Sequence, residues 1–469
     1  MSIERLTGED RLMLATSEAW PQDVAALALL DADGLFDPAG RFRIEAVRDA
    51  VERRLHLVPR FRQVIQVPRS GLGGPLWVDA GAFDVAEHVR ELRLEPPAGE
   101  AEVLLAVEQL RQTRLDPSRP LWEMWFLTGL PDRQVWLFVR IHHSIADGLA
   151  ALAMVGRFLD PGSNAPLEPP PPWASAPMPS SSALLADNLL GRARGVLGSL
   201  AVLTRPRATL RRLREVWPAT RELLAERPAT LTSLNRIIGP DRGFALVRGS
   251  FDAVRKVARA HDATVNDVLL AVTAGGVRAL FFARGEPVED VTVRIFVPVS
   301  LRRTLRGEVQ GTLIAQMVVP ISLSEPDPVR RLEAIAAETT RRKARTRATV
   351  GSLLRGRLVR KLALMAVIRQ RVNVITASVP GPRRALFFAG AQVLELFPLL
   401  ALIGNVPLGV GTVSYAGKLG FGIAADRAAI PDIDVLAAGV GKALRELEAA
   451  APAEVEAPAI AGVGGGSTS

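Results

Sequence analysis

The stretch Gln134-Val135-Trp136-Leu137-Phe138-Val139-Arg140-Ile141-His142-His143-Ser144-Ile145-Ala146-Asp147-Gly148-Leu149 decides how this chain is read. Its first half is a nearly continuous apolar run, the pattern of a buried strand. From Leu149 to Leu159 the apolar residues return at helical spacing. The paired histidines and the Asp147-Gly148 step therefore sit at a strand-to-helix corner, where loops carry chemistry on a rigid scaffold. The chain has five histidines, and two of them are here.

A neutral imidazole accepts a proton near physiological pH. Set against a hydroxyl, it acts as a general base worth about 10²–10⁴ in rate. Neighbouring side chains on a strand point to opposite faces, so one histidine is expected to be the base and the other structural. Asp147 either orients an imidazole, as the acid of a triad does, or pairs with an arginine and holds the loop. Gly148 lets backbone or substrate approach closely. No metal is expected, because adjacent histidines diverge and a four-coordinate site needs more ligands than this region supplies. Ser144 lacks the Gly-x-Ser-x-Gly setting of a nucleophile. His56, His88 and His261 read as structural or surface residues.

At 469 residues and 48% hydrophobic content, the chain is expected to form two domains. It has no cysteine, which excludes disulfides, a thiol nucleophile and thiolate metal sites and fits a reducing compartment. Its net charge of +9 suits an anionic membrane surface or a phosphate-bearing small molecule. Nucleic acid is disfavoured: there is one tyrosine, and no basic run is interleaved with aromatics. The charged N-terminus has no apolar signal region. Leu396 to Val413 is apolar but broken by Pro398, Gly404, Asn405, Pro407, Gly409 and Gly411, so it reads as buried strand and turn rather than a membrane span.

Residues 1–160 read as a mixed α/β unit, with a helix exit feeding a strand over Pro59–Ile65, strands at Leu76–Asp79 and from Pro120 to Leu127, and an amphipathic helix from Val103 to Arg114. Pro161 to Ser182 holds eight prolines and reads as a stiff linker. A basic helical segment follows, from Leu184 to about Arg227, and a second basic stretch spans Arg341 to Arg371. These are either packed helices with a solvated arginine face or amphipathic helices lying on an anionic membrane. A second α/β unit begins near Gly243. In it Thr264-Val265-Asn266-Asp267 caps a long helix, Val291 to Val299, Ile314 to Ile321 and Val372 to Ala377 are strands, and Gly411 to Ile423 is a hairpin around Ala416-Gly417. Gly462 to Ser469 is a Gly/Ser-rich tail.

His142-His143-x-x-x-Asp147-Gly148 matches the motif of the CoA-dependent acyltransferase superfamily, which includes chloramphenicol acetyltransferase and peptide-synthetase condensation domains. Over nearly its whole length the chain resembles the bacterial wax ester synthase/diacylglycerol acyltransferase family. Pro120-Leu121-Trp122, Val265-Asn266-Asp267-Val268, Val297-Pro298-Val299-Ser300-Leu301-Arg302, Val379-Pro380-Gly381-Pro382 and Val413-Ser414-Tyr415-Ala416-Gly417 each resemble a family segment, in the family's order. Ser378 and Gly311-Thr312 depart from it, where asparagine and a Gly-Asn pair are usual.

The resemblance implies two chloramphenicol-acetyltransferase-like domains of mixed α/β sheets with an interdomain tunnel. The expected partition is 1–160, a linker and basic segment over 161–240, a second domain over 241–455 and a tail over 456–469. His143 would be the general base, supported by His142, Asp147 and Gly148. Asn266, Asp267 and Ser300 would reach the site from the second domain or, for the first two, simply cap their helix. Asp147 would form a salt bridge with Arg62, or alternatively with Arg302. No cofactor is implied beyond acyl-CoA as co-substrate. The implied acceptor is diacylglycerol or a long-chain alcohol; the alternatives are another lipid or polyketide alcohol acylated on the same fold, or a non-catalytic lipid- or CoA-binding protein. The implied setting is cytoplasmic, peripheral to a membrane or lipid droplet.

Overall fold

The computed structural model describes residues 3–17, 20–164, 169–203, 231–300, 314–353 and 372–451. The first half runs α1 (Gly8–Thr16), β1 (Asp23–Asp31), α2 (Ile44–Glu52), β2 (Gln63–Gln66), β3 (Leu76–Asp79), β4 (Val89–Arg93), α3 (Glu100–Gln112), β5 (Trp122–Thr128), β6 (Gln134–His142), α4 (Gly148–Val155), β7 (Leu159–Asp160) and α5 (Ser181–Leu203). The second runs β8 (Arg242–Ser250), α6 (Phe251–Ala260), α7 (Val265–Ala283), β9 (Thr292–Ser300), β10 (Ile314–Ser322), α8 (Pro328–Leu353), β11 (Val374–Pro380), β12 (Phe387–Phe388), β13 (Ala391–Leu399), β14 (Leu408–Tyr415), β15 (Lys418–Asp426) and α9 (Ile433–Ala450).

Two large mixed sheets result. The first has the order β4-β5-β6-β1-β13-β12-β7, and the second β10-β9-β11-β14-β15-β8. The apolar run before the histidines is β6, buried along nearly its whole length because β5 and β1 flank it. In the second sheet, α7 carries an apolar run that packs against α9 and closes a core with Phe281, Ile295, Phe421 and Leu436. Burying each such side chain contributes about 1.5–3 kcal/mol.

The expected partition at residue 241 does not describe the sheets. β12 and β13 come from the second half of the chain, yet both pair into the first sheet, where β13 lies antiparallel to β1 with Leu27 opposite Phe397. This crossing explains the glycines of the hairpin. A Cβ on Gly422 would stand 2.0 Å from the Pro398 carbonyl oxygen, and one on Gly420 2.1 Å from that of Leu396. Only a residue without a side chain lets β13 cross so close to β15. Tyr415, the single tyrosine, fastens the crossing: its hydroxyl donates to Val393 O at 2.9 Å and accepts from Leu386 N at 2.8 Å. A third core cluster, with Val107, Phe138, Phe244 and Phe397, draws on both sheets and α3.

The hairpin turns at Ala416-Gly417, both with positive φ, as expected. Leu396 to Val413 is strand, turn and strand. Among the described residues one helix, α7, is long and apolar enough to cross a membrane, and most of it is buried inside the fold. Much of the two basic segments (204–230 and 354–371), Gly311-Thr312 and the Gly/Ser tail lie outside the described residues.

Candidate active site

Strand register sets the histidine corner. β6 ends at His142, directly opposite Asp23 at the start of β1. Beneath it Arg140, 1% exposed, faces Glu123 across the β5–β6 ladder and bonds it through Nε at 3.0 Å and a terminal nitrogen at 2.7 Å. The same guanidinium donates to Thr113 O at 2.7 Å and lies 3.8 Å from Asp23. A charge buried to this degree requires such partners, and losing one of them is costly.

The two histidines have opposite fates. His142 is buried: its Nδ1 lies 2.7 Å from Ser144 Oγ and 3.1 Å from the Ser144 backbone N–H, and its Nε2 lies 3.0 Å from Ser17 Oγ. Burial holds its pKa below the ordinary histidine value, against a smaller upward pull from Asp23. His143 is half-buried, and its backbone N–H donates to Gln22 O at 2.7 Å. Its imidazole has no hydrogen-bond partner among the described residues. Of the two, His143 is the ring free to meet a substrate.

Asp147 is committed elsewhere. It is the N-cap of α4, with extended backbone, and its carboxylate accepts from Ala150 N at 2.8 Å. Gly148 is exposed, and a Cβ there would meet nothing within 4 Å. The expected Asp147–Arg62 salt bridge is not formed. Arg62 is buried against ring faces instead, its guanidinium carbon 4.8 Å from the Trp173 centroid and 5.9 Å from that of Phe83. Its Nε has no hydrogen-bond partner among the described residues, and burial lowers its pKa. A planar guanidinium can stack where a carboxylate was anticipated. The alternative partner, Arg302, lies outside the described residues.

The second-domain candidates divide. Asp267, 1% exposed, completes a capping box with Thr264 and accepts from Thr339 Oγ1 at 2.7 Å, which ties α7 to α8. It is a structural acid. Asn266 is half-buried on the first turn of α7 and has no hydrogen bond to the histidine corner. Ser300 closes β9, paired with Ile314. Trp122, from the Pro-Leu-Trp segment, is core: it stacks on Phe61 at 4.5 Å and on His88 at 4.6 Å, and its indole N–H donates to Phe61 O. No group of three or more His, Asp or Glu among the described residues is arranged to hold a metal. A cavity of about 340 Å³ lies away from the corner, lined by Thr232, Arg236, Arg284 and Glu286.

Ser17, Gln22 and Asp23 escape sequence reasoning although they frame the histidines. A carboxylate opening the apolar run Val24–Leu30 is the one available signal.

Two mixed sheets interlocked by a crossing strand, with a His-His-x-x-x-Asp-Gly corner presenting one free imidazole, define an acyltransferase of the two-lobed type. The family model for the wax ester synthase/diacylglycerol acyltransferase catalytic domain matches residues 6–269, and that for the WS/DGAT C-terminal domain matches 310–448. The chain belongs to the wax ester synthase/diacylglycerol acyltransferase family and is an O-acyltransferase. It is 30% identical to a probable diacylglycerol O-acyltransferase, tgs1, of Mycobacterium tuberculosis, over 86% of this chain and 88% of that one. The wax ester synthase/diacylglycerol acyltransferase from Marinobacter aquaeolei VT8 matches in structure with a TM-score of 0.68 at 25% identity, covering 95% of this chain and 99% of its own. The starter condensation domain of rhizomide synthetase, solved as a point mutant in complex with C8-CoA, shares the fold at 15% identity, with a TM-score of 0.57 and coverage of 96% and 95%.

Proposed function

We propose that this enzyme moves a fatty acyl group from acyl-CoA to the hydroxyl of diacylglycerol or of a long-chain alcohol, with His143 as general base. The carrying observation is the His143 imidazole, unpartnered among the described residues, at a corner whose other polar groups are committed. His143 takes the acceptor's proton as the oxygen attacks the thioester carbonyl. The tetrahedral oxyanion then collapses, the C–S bond breaks, and the imidazolium returns the proton to the CoA thiolate. Both substrates are held at once, and no acyl-enzyme or further cofactor is needed. Ser300 and Asn266 are candidate donors to the oxyanion from the second lobe, across the expected tunnel.

The same reading places the enzyme at the cytoplasmic face of a membrane or on a lipid droplet. The +9 net charge supports it, as do the exposed Leu189 and Leu190 beside exposed Arg192 and Arg194 on α5. The deciding experiment follows CoA release from palmitoyl-CoA with purified protein, offering diacylglycerol and hexadecanol in turn. Release that needs an acceptor and vanishes in His143→Ala is expected. Full turnover by that variant would overturn the role of His143, and no release by the wild type with either acceptor would overturn the acceptor class.

A further inference from the structure

Between α1 and β1 the chain touches both histidines. Ser17 reaches the ring of His142, and Gln22 O receives the backbone N–H of His143. The corner folds back on the same ring: Ser144 N–H points at His142 Nδ1, and Ile145 N donates to His142 O at 2.8 Å. His143 is thus suspended in a turn whose flanks are both tied to His142.

The hydrogen bonds fix the protonation of that ring. A backbone N–H can only donate, so His142 Nδ1 must present its lone pair to Ser144. A neutral imidazole unprotonated at Nδ1 carries its hydrogen on Nε2. The Nε2–H then donates to Ser17 Oγ at 3.0 Å. With the ring buried, its charged form is disfavoured as well. The Ser144 N–H therefore selects the tautomer, and Ser17 is the acceptor that holds the ring in one orientation.

We propose that Ser17 is a positioning residue for the acyl transfer. By accepting the Nε2–H of His142 it locks the ring on which the His143 turn is built, and so aims the His143 imidazole. Ser17 touches neither substrate, and its effect passes through His142. This inference rests on the proposed role of His143 as base. Misplacing a catalytic group by a fraction of the reacting distance lowers turnover without altering how substrate binds elsewhere.

The test combines histidine spectra with kinetics. In protein labelled with 15N-histidine, five ring systems are to be resolved, and His142→Gln identifies the one of interest. The expected wild-type signal is a fixed Nε2–H tautomer with an unprotonated Nδ1. Ser17→Ala is expected to shift the His142 Nε2–H signal, whose acceptor is lost, and to lose about tenfold or more in kcat, with KM for acyl-CoA unchanged. Ser17→Thr, which keeps the hydroxyl, is expected to restore both. An Nδ1–H tautomer in the wild type would overturn the proposal. So would unchanged kcat in Ser17→Ala, or a fall in kcat that tracks lost thermal stability while the Nε2–H signal stays unmoved. The spectra need no substrate, so a failure of the proposed acyl transfer reaction would be seen separately, as wild-type protein with a locked His142 and no turnover.

Discussion

Two helix starts in this molecule use the same chemistry and reach different ends. At α4 an aspartate, Asp147, caps the helix and accepts one backbone N–H. At α7 Asp267 and Thr264 form a reciprocal box, and Thr339 from α8 adds a third bond to the acid. The second corner is closed, with the carboxylate of Asp267 turned to structure. The first also commits its acid to the cap, but it leaves one polar ring, His143, without a partner among the described residues. In both places the motif's acid holds the backbone, and chemistry falls to the group left over. An acid beside a histidine in sequence is thus a poor guide to a triad when a helix begins at the same point.

The sharpest way to break this contrast is to remove the free ring. His143→Ala is expected to lower kcat by about 10²–10⁴ while leaving the urea unfolding midpoint in place. A midpoint shift comparable to that of a core deletion would show that the ring is structural after all. Next in size is Asp267→Ala, expected to cost about 2–3 kcal/mol in urea unfolding, since it strands Thr264, Thr339 and the α7 cap at once. Asp147→Ala should cost only about 1 kcal/mol, the worth of one cap. A loss of about 3–5 kcal/mol there would instead signal a buried ion pair.

The smallest effect is one of pH. Burial lowers the pKa of both His142 and His88 in the folded chain below the ordinary value of 6.5. The unfolded chain therefore binds more protons just below that value, and stability should fall as pH drops from 6.5 toward the depressed folded values. Well above that value both groups are neutral in either state and contribute no slope. Unfolding midpoints in urea between about pH 5 and 8 would measure this, and His142→Gln should flatten the acid side. A midpoint unchanged down to about pH 5 would show that neither ring resists protonation.

Local pattern makes much of this legible. The apolar run of β6, the helical spacing of α4, the Thr264 cap and the Ala416-Gly417 turn all appear where the residues place them, because each depends on near neighbours. Strand alternation alone marks His142 and His143 as unlike. Two things stay hidden. The partner of Arg62 is not the expected carboxylate, and nothing local distinguishes a guanidinium bound for an acid from one bound for Trp173, far along the chain. The membership of β13 in the first sheet is equally out of reach. Its apolar character fits either sheet, and only the register with β1 and the glycines of β15 decide.

That crossing strand also orders events in time. β1, which frames the histidine corner, needs β13 on its outer edge, and β13 is made long after β6. A nascent chain ending before residue 391 holds the corner motif with an unpaired strand edge beside it, the kind of edge that recruits other chains. The acyl-transfer corner should thus mature late in synthesis, and a first lobe expressed by itself should aggregate unless a fragment carrying Ala391–Leu399 is supplied with it.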